Sequence, residues 1–75
     1  MVNTTEKVLI IGAGGQIGIE LTENLSKIYG HDNVVPSDLK DNTVYKNNPY
    51  EKLDALDKTA LFDIVKKHNI TQVYH

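Results

Sequence analysis

The feature that most constrains the fold is a glycine-rich turn directly after a short apolar run. Val8–Ile11 is apolar throughout and rich in β-branched residues, and glycines follow at positions 12, 15 and 18. Such a run is typical of a parallel strand that is buried on both faces. From Gln16 the apolar residues recur with helical spacing. The spacing Gly12-x-x-Gly15-x-x-Gly18 therefore predicts a strand, a tight turn and a helix that begins inside the motif.

Alternating periodicities continue along the chain and predict a parallel sheet. After the first strand we expect a helix that ends at Gly30, with the apolar stripe Ile17, Leu21, Leu25 and Ile28, and then a strand from Val34 to Asp38. A loop over 40–49 leads to a third strand over Glu51–Leu56. The last expected elements are a helix capped by Asp57, with the apolar stripe Leu61, Ile64 and Val65, and a strand over Ile70–His75. Right-handed crossovers on both sides of the first strand give the order 3-2-1-4. The predicted class is α/β, the N-terminal half of a Rossmann-type doubly wound parallel sheet.

The length bears on how much of that fold is present. The chain has 75 residues, about half of a usual domain. Its last predicted strand would form an open sheet edge, whereas parallel sheets normally continue. We therefore expect a polar tail over 1–7 and a partial nucleotide-binding domain over 8–75, the N-terminal part of something longer. A naturally short protein is the alternative.

Composition excludes several classes of function. The absence of cysteine removes disulfides, thiolate metal sites and a cysteine nucleophile, and the three histidines do not have metal-ligand spacing. A net charge of −2 does not steer the chain to nucleic acid or to an anionic membrane. No apolar run approaches the roughly 20 residues that span a bilayer, and the N-terminus lacks a signal-peptide pattern. The expected location is the cytoplasm.

Each glycine of the motif has its own reason to be glycine. Gly12 permits the sharp turn out of the strand, Gly15 allows backbone to approach a pyrophosphate, and Gly18 allows the helix to pack close to the strand. The N–H groups of Gln16 and Ile17 lie at the helix N-terminus, where unpaired donors and the helix dipole favour an anion. The motif thus predicts a dinucleotide site. The alternative is a glycine-rich turn in another kind of α/β protein.

An acidic residue stands where a dinucleotide-binding fold needs one. Asp38 lies 20 residues after Gly18, at the end of the second predicted strand. A carboxylate there can accept hydrogen bonds from both hydroxyls of the adenosine ribose. It would repel a 2′-phosphate, so NAD is the predicted cofactor rather than NADP.

These motifs resemble the extended short-chain dehydrogenase/reductase superfamily, which includes NAD-dependent sugar epimerases and dehydratases. A larger part of the sequence is similar to the short-chain-type L-threonine 3-dehydrogenases, namely residues 11–21, Tyr29-Gly30, 32–35 and Ser37-Asp38. The resemblance runs from Val8 to His75. The resemblance implies a small-molecule substrate and a homodimer when complete. The net charge and the lack of a long apolar run predict no nucleic-acid or membrane partner.

The resemblance also implies roles for residues that the motif alone does not reach. Leu39 matches the residue that lies beside the adenine. Asp54 matches the acceptor for the exocyclic amine of the adenine, with the Ala55 backbone nearby. The candidate cofactor residues are therefore Gly12, Gly15, Gln16, Ile17, Gly18, Asp38, Leu39, Asp54 and Ala55.

The catalytic residues of the superfamily are the part that this chain does not match. Members use a Tyr-x-x-x-Lys pair with a Ser or Thr, and none of the four tyrosines here is followed by lysine at that spacing. The resemblance thus implies the NAD-binding part of an L-threonine 3-dehydrogenase, with the 75 residues alone inactive. The alternatives are a sugar epimerase or dehydratase, or a non-catalytic NAD-binding module or truncated remnant.

Overall fold

The computed structural model describes residues 6–42 and 44–75, so residues 1–5 of the expected tail lie outside the described residues. The elements are β1 (Val8–Ile11), α1 (Gln16–Tyr29), a 3₁₀ turn (His31–Asn33), β2 (Val34–Asp38), β3 (Glu51–Lys52), α2 (Lys58–His68) and β4 (Gln72–Tyr74). The four strands are parallel and lie in the order β3-β2-β1-β4. The predicted α/β class and the 3-2-1-4 order are confirmed.

The core lies on both faces of β1, as the unbroken apolar run predicts. Val8 and Ile10 pack with Leu25 of α1 on one face. Leu9 packs with Ile64 of α2 on the other face. Because each helix covers one face, β1 is buried between two layers and the sheet is wound in both directions from it.

The buried face of α1 differs from the predicted apolar stripe. Leu25 is buried, but Ile17 is 83% exposed and Ile28 is 61% exposed, while Thr22 and Ser26 are buried. The buried face is the one that carries Gly18, which lies against the glycine turn, and Thr22, whose hydroxyl donates to the Gly18 carbonyl. Ile17 lies on another side of the helix and lines an open groove.

Both outer strands also depart from prediction. The third strand is paired only over Glu51–Lys52, because the chain turns at Asp54: the Asp57 N–H donates to the Asp54 carbonyl at 2.9 Å. The fourth strand covers Gln72–Tyr74 rather than the predicted Ile70–His75, and Val73, its central residue, is 53% exposed. Parallel strands bury both faces only where a helix covers each, and Val73 lies on an edge strand.

Both ends of α2 are capped, the first by a side chain and the last by the backbone N–H of Asn69. Asp57 accepts a hydrogen bond from the Ala60 N–H at 3.1 Å, which confirms its predicted role as N-cap. Asn69 ends the helix in the left-handed conformation, with φ of 54°. Glu51 of β3 then joins the last turn: its Oε2 lies 2.8 Å from Lys67 Nζ and 2.6 Å from His68 Nε2. These contacts hold the helix against the edge of the sheet.

Candidate functional site

The candidate site lies at the carboxyl ends of β1 and β2, where the glycine turn leaves the sheet. Gly12 has φ of +79°, a conformation that side chains rarely adopt. The N–H groups of Gly12 and Ala13 both donate to the Ser37 carbonyl, at 3.0 and 2.9 Å. The turn is therefore anchored on the neighbouring strand and not only by its own chain.

Gly18 brings α1 against this turn. A Cβ at Gly18 would lie 2.6 Å from the Ala13 Cα and 2.9 Å from the Gly12 carbonyl oxygen. Such separations are far below van der Waals contact between carbon and backbone atoms. Only glycine at this position lets the helix begin directly beside the turn.

Gly15 borders open space, whereas Gly18 lies against the backbone of the turn. Gly15 is the N-cap of α1, and no side chain caps this helix end. A Cβ at Gly15 would meet nothing within 4 Å. The first N–H groups of α1, at Gln16 and Ile17, therefore open toward a space that is free of protein atoms, and they keep the positive end of the helix dipole.

Asp38 faces the glycine turn from the end of β2. Its Oδ2 accepts the Gly14 N–H at 2.8 Å, and its Oδ1 accepts the Leu39 N–H at 2.7 Å. The hydrogen bond from Gly14 is the main cause that lowers the pKa of Asp38; burial opposes it, and the Leu39 and Lys40 N–H groups assist it. The carboxylate is thus ionised at neutral pH. Because a carboxylate has about four acceptor sites, these three N–H groups leave it capacity for a further donor.

Two grooves meet at the glycine turn and contain all nine predicted site residues. The first, of about 420 Å³, includes Gly12, Gly15, Gln16, Ile17 and Gly18. The second, of about 300 Å³, includes Gly12, Asp38, Leu39, Asp54 and Ala55. They share Ile11, Gly12 and His75, at the carboxyl end of the sheet. Residues from three distant parts of the chain thus line one continuous surface.

Asp54 and Leu39 enter the second groove in different ways. The carboxylate of Asp54 accepts the Leu56 N–H at Oδ1, at 2.9 Å, so it is oriented by the same turn that ends β3. Leu39 is 62% exposed, which leaves an apolar surface beside Asp38. A flat apolar ligand with polar edges could contact both.

Two residues that sequence reasoning left out belong to this site. Gly14 lies against Asp38: a Cβ there would be 2.8 Å from Asp38 Oδ2. Tyr45, from the loop between β2 and β3, donates its hydroxyl to the Ala13 carbonyl at 2.5 Å. The run of adjacent glycines was a signal for Gly14. No sequence signal points to Tyr45, because it is 32 residues from Ala13.

The site fits a dinucleotide. The space beside Gly15 is open, since a Cβ there would meet nothing within 4 Å, and it adjoins the uncapped end of α1, which suits a pyrophosphate. The ionised Asp38 suits a ribose diol. Within residues 6–42 and 44–75, no group of three potential ligands is placed to hold a metal ion, and no helix is long and apolar enough to cross a membrane.

Comparison with known proteins agrees with this fit. The model of the NAD dependent epimerase/dehydratase family matches residues 8–75. A Staphylococcus aureus protein named as an uncharacterized epimerase/dehydratase is 36% identical over 73 residues, which are 93% of this chain and 23% of that protein. The chain thus spans about a quarter of the length of this curated relative.

Solved structures similar to this chain include several threonine dehydrogenases. The GalE-like L-threonine dehydrogenase from Cupriavidus necator, in its holo form, has 44% identity and a TM-score of 0.87, over 91% of this chain and 22% of that one. The L-threonine dehydrogenase from Clostridium difficile has 39% identity and a TM-score of 0.84, over 95% and 23%. The L-threonine 3-dehydrogenase from Trypanosoma brucei has 35% identity and a TM-score of 0.81, over 96% and 24%.

Proposed function

The chain belongs to the NAD dependent epimerase/dehydratase family, and from that premise we propose that it is the cofactor-binding part of an L-threonine 3-dehydrogenase. The proposed reaction oxidises L-threonine to 2-amino-3-ketobutyrate and reduces NAD to NADH. The observation that carries the proposal is the convergence of the uncapped end of α1 and Asp38 on one surface, in a chain 44% identical to a threonine dehydrogenase of known structure.

The cofactor of this family is NAD, and the residues here divide its binding between the two grooves. The pyrophosphate would lie beside Gly15 and accept hydrogen bonds from the N–H groups of Gln16 and Ile17. The adenosine ribose would donate to Asp38, and the adenine would lie against Leu39 and donate its amine to Asp54. When bound, NAD supplies the hydride acceptor of the reaction.

Residues outside this chain would carry the catalysis. The four tyrosines, at 29, 45, 50 and 74, are not part of a Tyr-x-x-x-Lys pair. A base for the substrate hydroxyl must therefore come from elsewhere in the protein, and we propose that the 75 residues alone do not oxidise threonine. We further propose that the complete enzyme is a homodimer.

A sugar epimerase or dehydratase is the second candidate function. The Staphylococcus aureus relative carries that name, and an NAD-binding part of this kind serves both activities. A module that holds NAD without reacting it is a third possibility. These three functions differ in the residues that would contact the substrate, not in those that hold the cofactor.

Reading the encoding DNA beyond the codon for His75 separates these functions first. If the frame continues for a few hundred residues and encodes a Tyr-x-x-x-Lys pair, assays of the product with threonine and with nucleotide sugars identify the substrate. A stop codon directly after His75 would contradict the dehydrogenase proposal and leave the NAD-holding module.

The role of Asp38 is tested by Asp38→Ala in the full product of the reading frame. We expect NAD binding to weaken by about tenfold, because two charge-assisted hydrogen bonds to the ribose are lost. Discrimination against NADP should relax at the same time. Calorimetric titration with both cofactors measures this, and Asp63→Ala, an exposed residue of α2 away from both grooves, is the control. Unchanged affinity for both cofactors would remove Asp38 from the site.

A further inference from the structure

One peptide group of the glycine turn is held from both sides. The N–H of Gly14 donates to Asp38 Oδ2 at 2.8 Å. The carbonyl of the same peptide, that of Ala13, accepts the Tyr45 hydroxyl at 2.5 Å. A peptide unit is planar, so fixing its N–H and its C=O together fixes its orientation. The next residue along the chain is Gly15, where the pyrophosphate space begins.

Tyr45 is itself held in place by its own loop. The Asn42 side chain accepts the Tyr45 N–H at 2.7 Å and donates to the Tyr45 carbonyl at 2.5 Å. The ring stacks on Tyr50, with centroids 5.9 Å apart and planes 21° from parallel. The Tyr50 hydroxyl in turn donates to the Lys40 carbonyl at 2.5 Å. The loop between β2 and β3 thus places one hydroxyl against the glycine turn.

The Tyr45 hydroxyl also lies 3.3 Å from the Oγ1 of Thr22, whose own hydroxyl donates to the Gly18 carbonyl at 2.7 Å. Burial raises the pKa of Tyr45, while the Thr22 contact opposes the shift and the charge of Asp38 adds to it. The phenol therefore remains protonated at neutral pH and remains a donor. One side chain contacts both the glycine turn and the helix that follows it.

We propose that Tyr45 is a positioning residue for the cofactor, which orients the Ala13–Gly14 peptide and thereby the phosphate-binding turn. The proposal rests on the proposed function, because it assumes that the turn receives a pyrophosphate. Glycine has the largest conformational freedom of any residue, and the turn contains Gly12, Gly14 and Gly15. Without an external hold, part of the binding free energy would be used to order these residues on each binding event.

The test compares Tyr45→Phe with Tyr50→Phe in the full product of the reading frame. Both remove one hydroxyl from the same stacked pair, but only Tyr45 contacts the glycine turn. We expect ADP, used as the probe for adenosine and pyrophosphate, to bind Tyr45→Phe about fivefold more weakly than wild type, the effect of one lost hydrogen bond. Tyr50→Phe should stay within about twofold, because its hydroxyl donates to the Lys40 carbonyl of the loop.

A second measurement needs no ligand. Hydrogen–deuterium exchange of a peptide covering 12–18 should be faster in Tyr45→Phe than in wild type or in Tyr50→Phe, because the Ala13–Gly14 peptide is released at its carbonyl. A merely structural role would instead lower the stability of the whole domain and raise exchange throughout the sheet. If Tyr45→Phe does not fold, Asn42→Ala tests the same hold, since it releases the Tyr45 backbone and leaves the ring. It should shift both readouts in the same direction.

The outcomes separate this inference from the proposed function. If wild type does not bind ADP, the proposed function fails. If wild type binds ADP and Tyr45→Phe matches it in affinity and in exchange over 12–18, the positioning role is wrong while the NAD site stands. Weaker binding without faster exchange at the turn also contradicts positioning, because the hydroxyl would then act on the ligand directly.

Discussion

The N-termini of α1 and α2 differ in what meets their backbone N–H groups. At α2, Asp57 accepts the Ala60 N–H, so a side chain of the chain itself occupies the positive end of the helix. At α1, the N-cap is Gly15, which offers no side chain, and open space faces the first turn. An end capped from within has a structural role, whereas an end left open keeps unpaired donors that favour an anion, as the proposed pyrophosphate site requires.

The third helical position shows the same difference. In α1 this residue is Gly18, which lies against the backbone of Gly12 and Ala13. In α2 it is Ala60, which packs against the apolar cluster around Leu9. Glycine is the poorer helix former by about 1 kcal/mol, so α1 gives up helix propensity for the close approach that places its N-terminus at the turn.

The largest expected effect comes from removing that close approach. Gly18→Ala puts a Cβ 2.6 Å from the Ala13 Cα, and the backbone must shift to relieve the overlap. We expect a loss of about 2 kcal/mol in the free energy of unfolding, although alanine favours the helix, together with loss of ADP binding. Urea denaturation and calorimetric titration measure the two.

The matched control is the opposite change in the other helix. Ala60→Gly should cost about 1 kcal/mol through helix propensity and lost contact, and it should leave ADP affinity unchanged. Equal losses in the two variants, with ADP binding intact in both, would show that the turn does not depend on glycine at position 18.

The next largest effect is expected when the N-terminus of α1 is given a capping side chain like that of α2. Gly15→Asp gives α1 a side chain of the capping type at a φ of −86° that any residue adopts. Stability should rise by a few tenths of a kcal/mol at most, while ADP affinity should fall by at least about tenfold, because a negative charge would occupy the proposed pyrophosphate space.

The reciprocal change in α2 is Asp57→Ala. It should lower the free energy of unfolding by about 1 kcal/mol, because the cap of Ala60 is lost, and it should not alter ADP binding. If Gly15→Asp binds ADP as wild type does, the anion site is not at the start of α1.

The smallest effect concerns the other end of α2, where Glu51 joins Lys67 and His68. Burial alone would raise the pKa of Glu51, but the hydrogen bonds and charges of His68 and Lys67 together hold it below its ordinary value of 4.5. This stabilisation is present in full above about pH 4.5 and is lost as the pH falls through the lower pKa of the folded state. Water screens Lys67, so the contribution is well under about 1 kcal/mol.

The variant Glu51→Gln tests whether Glu51 stabilises the fold at neutral pH and loses this effect in acid. Its stability should be lower than that of wild type at neutral pH, and the difference should shrink as the pH falls from 5 toward 3, roughly the range in which carboxylates titrate. Lys52→Gln is the control, because the Lys52–Asp41 pair nearby is largely exposed. A difference that stays constant through this range would show that Glu51 carries no pH-dependent stability.

Much of this arrangement follows from local sequence. The apolar run of β1, the glycine spacing, Gly30 at the end of α1 and the Asp57 cap are short-range features, and each predicts its element. The strand order follows from them, because right-handed crossovers leave few topologies. Asp38 could be found from its distance to the motif, since a βαβ unit returns the second strand to the same edge of the sheet.

The tertiary structure alone decided how α1 is rotated, where β3 ends and which residue holds the glycine turn. Helical periodicity predicts that Ile17 and Ile28 face the sheet, but the face of α1 that carries Gly18 packs against the turn, and both isoleucines are exposed. Tyr45 reaches Ala13 across 32 residues of chain. Pattern and spacing report interactions between residues a few positions apart, whereas these three features depend on which atoms meet once the sheet has closed, so only the folded structure contains them.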